Sequence, residues 1–184
     1  MAATPSTMLP LGTSAPLFTL PDTVSGDMIS LADVKSDKAN VVMFICNHCP
    51  YVKHINSQLV QLAQDYLPKG VSILAINSND IVSHPGDAPD KMKEVAESLG
   101  YPFPYLFDET QEIARAYQAA CTPDLFLFDG DLQLVYRGQF DASRPGNNVP
   151  VTGQDLRAAL DAVLSDEQPD STQIPSMGCN IKWK

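Results

Sequence analysis

Two cysteines separated by two residues are the most reactive feature of this sequence. They lie in the segment Cys46-Asn47-His48-Cys49-Pro50, directly after the apolar run 41–45. A continuous apolar and β-branched run of this length predicts a strand buried on both faces, ending at Cys46. After Pro50 the apolar residues recur at the spacing of one helical face, so we expect a helix to begin beside the cysteines.

This placement predicts thiol chemistry. The unpaired N–H groups and the dipole of a helix N-terminus favour an anion, and we expect the sulfur of Cys46 to be that anion. The pKa of a free cysteine, about 8.5, falls to roughly 3.5–7 in such motifs. Cys49 lies three residues further on and is expected to be close enough to form a disulfide with Cys46.

The elements that must position the pair alternate along the chain. The strand 41–45 and the strand 71–76 flank the first helix, which ends at 68–70, so this βαβ unit predicts parallel pairing with a right-handed crossover. Further segments are expected to be an N-terminal hairpin around 18–31, a helix from Asp87 to Gly100, a helix over 110–120, a hairpin over 125–140 with its turn at 129–131, and a last helix from Thr152. The order predicts an α/β fold in which a mixed central sheet is flanked by helices on both faces.

The length of 184 residues fits one compact domain, and 44% hydrophobic with 18% charged residues is ordinary for a globular protein. We expect a flexible N-terminus over 1–15, the domain over 16–167 and a polar, loop-like tail over 168–184.

Composition excludes several functions. A net charge of −10 is unsuited to binding nucleic acid. The apolar runs are far shorter than the roughly 20 residues that cross a bilayer, so we expect no membrane span. No basic segment opens the chain, so we expect a cytosolic protein. Four cysteines are too few for a disulfide scaffold.

Two motifs together resemble the thioredoxin superfamily. One is Cys-x-x-Cys-Pro after a hydrophobic strand, and the other is Thr122-Pro123 just before a strand, at the place of that superfamily's cis-proline loop. The resemblance implies a thioredoxin-like fold and a redox-active Cys46–Cys49 pair. It implies that Pro123 is cis and packs against the disulfide. The substrate groove it implies is formed by four residues: Asn47, Pro50, Thr122 and Cys121.

Further segments narrow the resemblance. Residues around Gly12, Pro16, Asp22 and Gly26 resemble the opening of the alkyl hydroperoxide reductase and thiol-specific antioxidant branch. The segments 44–55, 77–80, 103–105, 121–129 and 178–184 resemble a bacterial group described as redoxin or thioredoxin family proteins. Such proteins pass electrons by dithiol exchange, which implies no bound cofactor.

The sequence departs from both related patterns. Thioredoxins carry a buried acid and a tryptophan where this chain has Asn40 and Ile45. An amide takes up no proton at neutral pH, so the sequence identifies no residue that accepts the proton of Cys49. Peroxiredoxins carry a threonine or serine and a proline where this chain has Met43 and Ala39.

His48 carries a second expectation from resemblance. A histidine beside the second cysteine also occurs in protein disulfide isomerase, so His48 is expected to stabilise the Cys46 thiolate. A stabilised reduced form predicts a reduction potential above thioredoxin's value of about −270 mV. The alternative is a solvated side chain without a role.

Three functions follow from these residues. The first is a thiol–disulfide oxidoreductase in which Cys46 attacks protein or small-molecule disulfides, Cys49 resolves the mixed disulfide, and a separate thiol reductant restores the pair. The second is a thiol peroxidase in which Cys46 attacks a hydroperoxide. The third is a metal-binding or docking module, although a structural zinc site needs four ligands and no second close pair of cysteines is present.

The remaining cysteines keep two interpretations each. Cys121 either flanks the groove or is a small buried hydrophobic residue. Cys179 either serves as a resolving cysteine or belongs to a tail docked through Ile181 and Trp183.

Overall fold

The computed structural model describes residues 3–184. Its strands are β1 Ala3–Pro5, β2 Thr19–Pro21, β3 Met28–Ser30, β4 Ala39–Phe44, β5 Val71–Asn77, β6 Tyr105–Phe107, β7 Cys121–Thr122, β8 Asp124–Asp129, β9 Leu134–Arg137 and β10 Met177–Asn180. Its α-helices are α1 Leu31–Val34, α2 Pro50–Tyr66, α3 Pro89–Leu99, α4 Glu112–Ala116 and α5 Gln154–Leu164.

The central sheet has five strands in the order β6-β5-β4-β8-β9. β4 pairs in parallel with β5 and antiparallel with β8, and β5 pairs in parallel with β6. β8 and β9 form the expected antiparallel hairpin, and β2 pairs with β3 in the expected N-terminal one. The predicted mixed α/β sheet is therefore confirmed.

Strand β4 lies in the middle of the sheet, and all six of its residues are buried. Successive side chains point to opposite faces. Val41 and Met43 pack in one core with residues of α2, α3 and α5, whereas Val42 and Phe44 pack in a second core with residues of α1 and α4. Helices on both faces explain why the strand is a continuous apolar run.

Helix α2 begins directly after the cysteine motif. Pro50 occupies its first turn, where the missing N–H costs nothing and the fixed φ suits a helix. The helix buries Val52, Leu59 and Tyr66 on one face and passes into a short 3₁₀ turn that ends at Gly70, with φ 89°. The predicted end of this helix is confirmed.

Both chain ends are built into a second sheet, which differs from the predicted flexible segment 1–15 and loop-like tail 168–184. Its order is β1-β10-β7, and all its pairs are antiparallel. Backbone pairing between segments distant in sequence holds these strands, and such pairing leaves no local pattern. Met1 and Ala2 lie outside the described residues.

Helix α4 is shorter than the predicted helix over 110–120. Gln111 and Gln118 adopt positive φ angles of 64° and 50° on either side of it. The buried amide of Gln111 donates to the carbonyls of Ser78 and Lys182, at 2.7 and 2.8 Å. These tertiary hydrogen bonds override the local helical pattern.

The turn between β8 and β9 lies at the predicted place. Leu132, directly after residues 129–131, adopts a positive φ of 59°. Gly130 is needed for space, since a Cβ there would lie 2.0 Å from the carbonyl oxygen of Asp37.

A buried ion pair lies beside the Thr122-Pro123 loop. Arg137 and Asp124 are both fully buried, with Nη2 and Oδ2 3.2 Å apart. Ser6 donates to Asp124 and accepts from Arg137 Nε, at 2.6 and 3.1 Å. The pair ties the N-terminal segment to β8 and β9.

Within residues 3–184, no helix combines the length and apolar character that crossing a bilayer requires.

Candidate active site

The cysteine pair spans the gap between the end of β4 and the start of α2. Cys46 follows the last residues of the strand, and Cys49 is the residue that caps the helix. The sequence prediction placed Cys46 at the helix N-terminus, and this is corrected because α2 begins only at Pro50, with Cys49 as its N-cap residue. Cys49 therefore lies at the electropositive end of α2.

The sulfur of Cys49 is fully buried and has several polar neighbours. It lies 3.1 Å from the carbonyl oxygen of Thr122 and 2.9 Å from the sulfur of Cys179. The pKa of Cys49 is lowered to about 4, chiefly by the hydrogen bond from the Cys46 thiol. The Cys179 thiol and the N–H groups of Val52 and Cys179 lower it further, while burial acts to raise it. The thiolate of the resting dithiol is consequently favoured on Cys49.

The environment of Cys46 acts in the opposite direction. Its pKa is raised by the hydrogen bond to Cys49, by burial and by the negative charge of Asp87. The Thr122 hydroxyl, 3.3 Å from the Cys46 sulfur, opposes this shift. Within the coupled pair these contacts favour the proton on Cys46 and act against the expected thiolate there.

A buried carboxylate that the sequence did not single out for chemistry lies beside the motif. Asp87 Oδ2 accepts hydrogen bonds from His48 Nδ1 at 2.6 Å and from Asn79 Nδ2 at 2.9 Å. Its Oδ1 accepts from the backbone N–H of Asn47 at 2.7 Å. Burial acts to raise the pKa of Asp87, but these hydrogen bonds lower it overall. The carboxylate is therefore ionised at neutral pH and selects the His48 tautomer with a proton on Nδ1.

The fold explains how Asp87 reaches the cysteines. It ends a 3₁₀ turn, Pro85–Asp87, in the connection between β5 and α3. Because β4 and β5 are parallel, the segments that follow them meet at the same edge of the sheet. In the sequence, this arrangement was signalled by the polar run 77–80, which begins at the last residue of β5. His84 also lies in this connection and stacks on His48, with ring centroids 4.9 Å apart.

Asn47 fixes the motif to its surroundings. Its side-chain amide donates to the carbonyl of Gly86 at 2.9 Å and accepts from the hydroxyl of Tyr105 at 3.0 Å. Both ends of the amide have intramolecular partners. Asn47, which the resemblance places in a substrate groove, therefore also has a structural role.

The second predicted motif meets the first. The Thr122-Pro123 peptide bond is cis, as the sequence predicted. Thr122 contacts the sulfurs of both Cys46 and Cys49, and Pro123 is buried beside them. Pro50, at the start of α2, is exposed.

Cys121 lies apart from the groove in which the sequence placed it. Side chains alternate along β7, so Cys121 and Thr122 point to opposite faces of the small sheet. Cys121 is fully buried, its sulfur lies 3.5 Å from the carbonyl of Pro123, and burial raises its pKa. The structure therefore favours the interpretation of Cys121 as a buried packing residue.

One set of side chains in the site could bind a metal. Ligand atoms of Cys46, His48 and Asp87 all lie within 4.8 Å of one another. Three such ligands suit a borderline cation such as zinc, but a structural zinc site requires a fourth.

A small cavity adjoins the cis-proline. It lies between Tyr51, Pro123 and Ser176 and holds about 10 Å³, far below the roughly 300 Å³ of a small-molecule pocket. The larger cavity of about 590 Å³ lies beside Lys35, Asp129 and Glu167, none of which contacts the cysteines.

Comparison with known proteins agrees with this geometry. A profile described as the AhpC/TSA family matches residues 11–137. A protein from Geobacillus kaustophilus, solved as an uncharacterized conserved protein, is 61% identical, with a TM-score of 0.99 over 100% of this chain and 97% of that one. The thioredoxin domain of a Bacteroides vulgatus thiol-disulfide oxidoreductase has a TM-score of 0.60 at 20% identity, covering 71% of this chain and 89% of that one. The likeness confirms the thioredoxin-like fold.

Two curated relatives carry redox names. The thiol-disulfide oxidoreductase ResA of Geobacillus kaustophilus is 27% identical over 73% of this chain and 74% of its own length. A Mycobacterium tuberculosis protein provisionally named a peroxiredoxin is 26% identical over 82% of this chain and 92% of its own length. Both names belong to redox proteins of the thiol class.

Proposed function

Because the chain belongs to the AhpC/TSA family, we propose that it is a thiol–disulfide oxidoreductase that exchanges its Cys46–Cys49 dithiol with substrate disulfides. The observation that carries the proposal is the contact of both cysteine sulfurs with Thr122, the residue before the cis-proline. A substrate that docks on this loop is placed beside Cys46, while the fully buried Cys49 contacts the same loop from inside the protein.

The reaction is two successive thiolate–disulfide exchanges. The Cys46 thiolate attacks one sulfur of the substrate disulfide, forming a mixed disulfide and releasing a substrate thiolate, which takes up a proton. The proton on Cys49 passes to the released substrate thiolate. The Cys49 thiolate then attacks the Cys46 sulfur, forming the Cys46–Cys49 disulfide and releasing the second substrate thiolate, which takes up a proton from water. The substrate is reduced and the enzyme pair is oxidised.

The shared proton supplies the Cys46 thiolate. The hydrogen bond between the two sulfurs favours the proton on Cys46 in the resting pair. Transfer of this proton along that hydrogen bond leaves the negative charge on Cys46, where the Thr122 hydroxyl donates to it. The Cys49 sulfur is thus the proton acceptor of the first step. The macroscopic pKa values belong to the pair.

The surroundings of the pair favour a disulfide on a protein surface as the substrate. Pro50 is exposed, and Asn47 and His48 are partly exposed beside Cys46. The adjoining cavity of about 10 Å³ is too small to enclose a small molecule. The dithiol mechanism needs no cofactor, but it needs an external thiol reductant, and a cytosolic location stays a prediction.

Peroxide reduction is the second candidate, favoured by the family profile and by the relative provisionally named a peroxiredoxin. In that reaction Cys46 attacks the peroxide, the O–O bond breaks, and a sulfenic acid forms that condenses with Cys49 to release water. Met43 and Ala39 stand where the peroxiredoxin pattern has other residues, which favours disulfide exchange as the main activity.

Insulin-disulfide reduction by dithiothreitol tests the proposal. The wild-type protein should accelerate the reaction and Cys46→Ser should abolish the acceleration. Cys49→Ser should accumulate mixed disulfides that the double variant Cys46→Ser/Cys49→Ser does not form. Wild-type protein without reductase activity, but with hydroperoxide-dependent sulfenylation of Cys46, would overturn the proposal in favour of the peroxidase.

A further inference from the structure

A third cysteine lies against the pair. The sulfur of Cys179 is 2.9 Å from the sulfur of Cys49, although 130 residues separate them in the chain. Cys179 is 4% exposed and Cys49 is fully buried, so the contact is shielded from solvent. Cys49 thus has two sulfur neighbours, Cys46 on its own loop and Cys179 on β10.

The second sheet determines this contact. Cys179 pairs directly with Thr122, and residues opposite each other in an antiparallel pair point to the same face. Thr122 contacts both active-site sulfurs, so Cys179 faces them as well. A Cβ on Gly178 would lie 2.0 Å from the carbonyl oxygen of Thr122, so glycine is required for β10 to approach this closely.

We propose that Cys179 is a third redox cysteine, which exchanges with the Cys46–Cys49 disulfide to form a Cys49–Cys179 disulfide. The inference rests on the proposed function for the source of the first disulfide. It assigns to the C-terminal strand a direct part in the redox cycle.

The exchange balances without an added oxidant. The Cys179 thiolate attacks the sulfur of Cys49, a bond forms between Cys49 and Cys179, and the Cys46–Cys49 bond breaks. The electron pair leaves with Cys46 as a thiolate. The proton lost by Cys179 is taken up by Cys46 in the product, so neither the charge nor the oxidation state of the protein changes.

The electrostatics of the three sulfurs favour this order. In the reduced protein the pKa of Cys179 is raised to about 12 by burial, by its hydrogen bond to Cys49 and by the negative charge of Cys49. The last two causes vanish when Cys49 is part of a disulfide, while the positive charge of Lys182 still acts to lower the pKa. Oxidation of the pair therefore makes Cys179 more acidic at the step in which it is needed.

The consequence is an oxidised protein with a free thiol at Cys46. The disulfide then joins the start of α2 to β10, and each of the three cysteines is at most 4% exposed. Cys46 can return it by attacking Cys49, so the exchange is reversible.

Tryptic mapping of the wild-type protein tests the proposal. Trypsin leaves Cys46 and Cys49 together on the peptide 39–53 and Cys179 on the peptide 158–182. A Cys49–Cys179 disulfide joins these two peptides, whereas a Cys46–Cys49 disulfide joins none. After oxidation with glutathione disulfide, an acid quench and alkylation, we expect the joined pair with Cys46 alkylated.

Two variants control the assignment. Cys46→Ser should still form the joined pair on oxidation, because Cys49 and Cys179 remain. Cys179→Ala should lose it entirely and form only the Cys46–Cys49 disulfide. Absence of the joined peptides from both wild type and Cys46→Ser would overturn the proposal even if insulin reduction is normal. Joined peptides in a protein without reductase activity would instead refute only the proposed function.

Discussion

The imidazole Nδ1 of His48 lies 2.6 Å from Asp87 Oδ2, and this contact joins the cysteine motif to the connection between β5 and α3. The carboxylate has no exposed surface, and its second oxygen accepts from the backbone N–H of Asn47. Asp87 therefore acts on the cysteines in two ways. It orients His48, and its charge raises the pKa of Cys46.

Asp87→Asn should make Cys46 more acidic, because the substitution removes a negative charge that opposes its ionisation. A tenfold larger thiolate fraction combined with about threefold lower nucleophilicity would make Cys46 alkylate about threefold faster at neutral pH. Iodoacetamide kinetics followed by peptide mapping measure this. The control is Asp90→Asn, an exposed residue, and an equal acceleration in both variants would exclude the specific effect.

His48→Ala should lower the reduction potential. Loss of the imidazole removes one of the three hydrogen bonds that Asp87 accepts, so its negative charge acts more strongly on Cys46. We expect the wild-type potential to exceed thioredoxin's value of about −270 mV, and the variant to fall by about 30 mV. Equilibration against glutathione gives both values. In the Asp87→Asn background the same substitution should have a smaller effect, and additive effects would show that the two residues act separately.

Thr122→Val should slow disulfide exchange. The substitution keeps a β-branched side chain but removes the hydroxyl that lies 3.3 Å from the Cys46 sulfur and lowers its pKa. A hydrogen bond to a charged group contributes about 1.5–3 kcal/mol. At the lower value the thiolate fraction falls about tenfold while the thiolate becomes about threefold more nucleophilic, so we expect at least about a threefold loss of insulin-reduction rate near neutral pH. Thr122→Ser retains the hydroxyl and should keep most of the rate. Equal losses in the two variants would point to packing as the cause.

The reduced protein should carry a thiolate well below pH 8. The pKa of Cys49 is lowered to about 4, chiefly by the hydrogen bond from Cys46, so the thiolate should persist as the pH falls and disappear near pH 4. Ultraviolet thiolate absorbance as a function of pH measures this. Cys49→Ser should lose the low-pH transition. A wild-type transition only near the ordinary thiol value of 9.0 would contradict the assignment.

Arg137→Met should destabilise the fold. Arg137 and Asp124 are fully buried and 3.2 Å apart, and the substitution leaves the Asp124 carboxylate without its charged partner. Breaking a buried pair in this way costs about 3–5 kcal/mol, measured as the free energy of unfolding in urea. Lys91→Met, which breaks the exposed pair with Glu94, should leave the unfolding midpoint nearly unchanged. Similar losses in both variants would show that burial does not decide the effect.

The residues themselves determined the local architecture of the site. The apolar run before Cys46 is buried in both cores, Pro50 starts α2, and Thr122-Pro123 is cis beside the sulfurs. The buried run and the helix start follow from side-chain periodicity and from the fixed φ of proline, which short stretches of sequence carry, whereas the cis bond was implied by the resemblance to the thioredoxin superfamily.

Only the tertiary structure decided which groups surround the sulfurs. Asp87 lies 39 residues after its partner His48, and it reaches the motif because the parallel strands β4 and β5 end at the same edge of the sheet. Cys179 lies 130 residues after its partner Cys49, and it reaches the motif because β10 pairs with β7. No local pattern encodes such distances. The pKa of a thiol depends on neighbours within a few ångströms, so the resting thiolate, expected on Cys46 from the motif, is favoured on Cys49 in the folded chain.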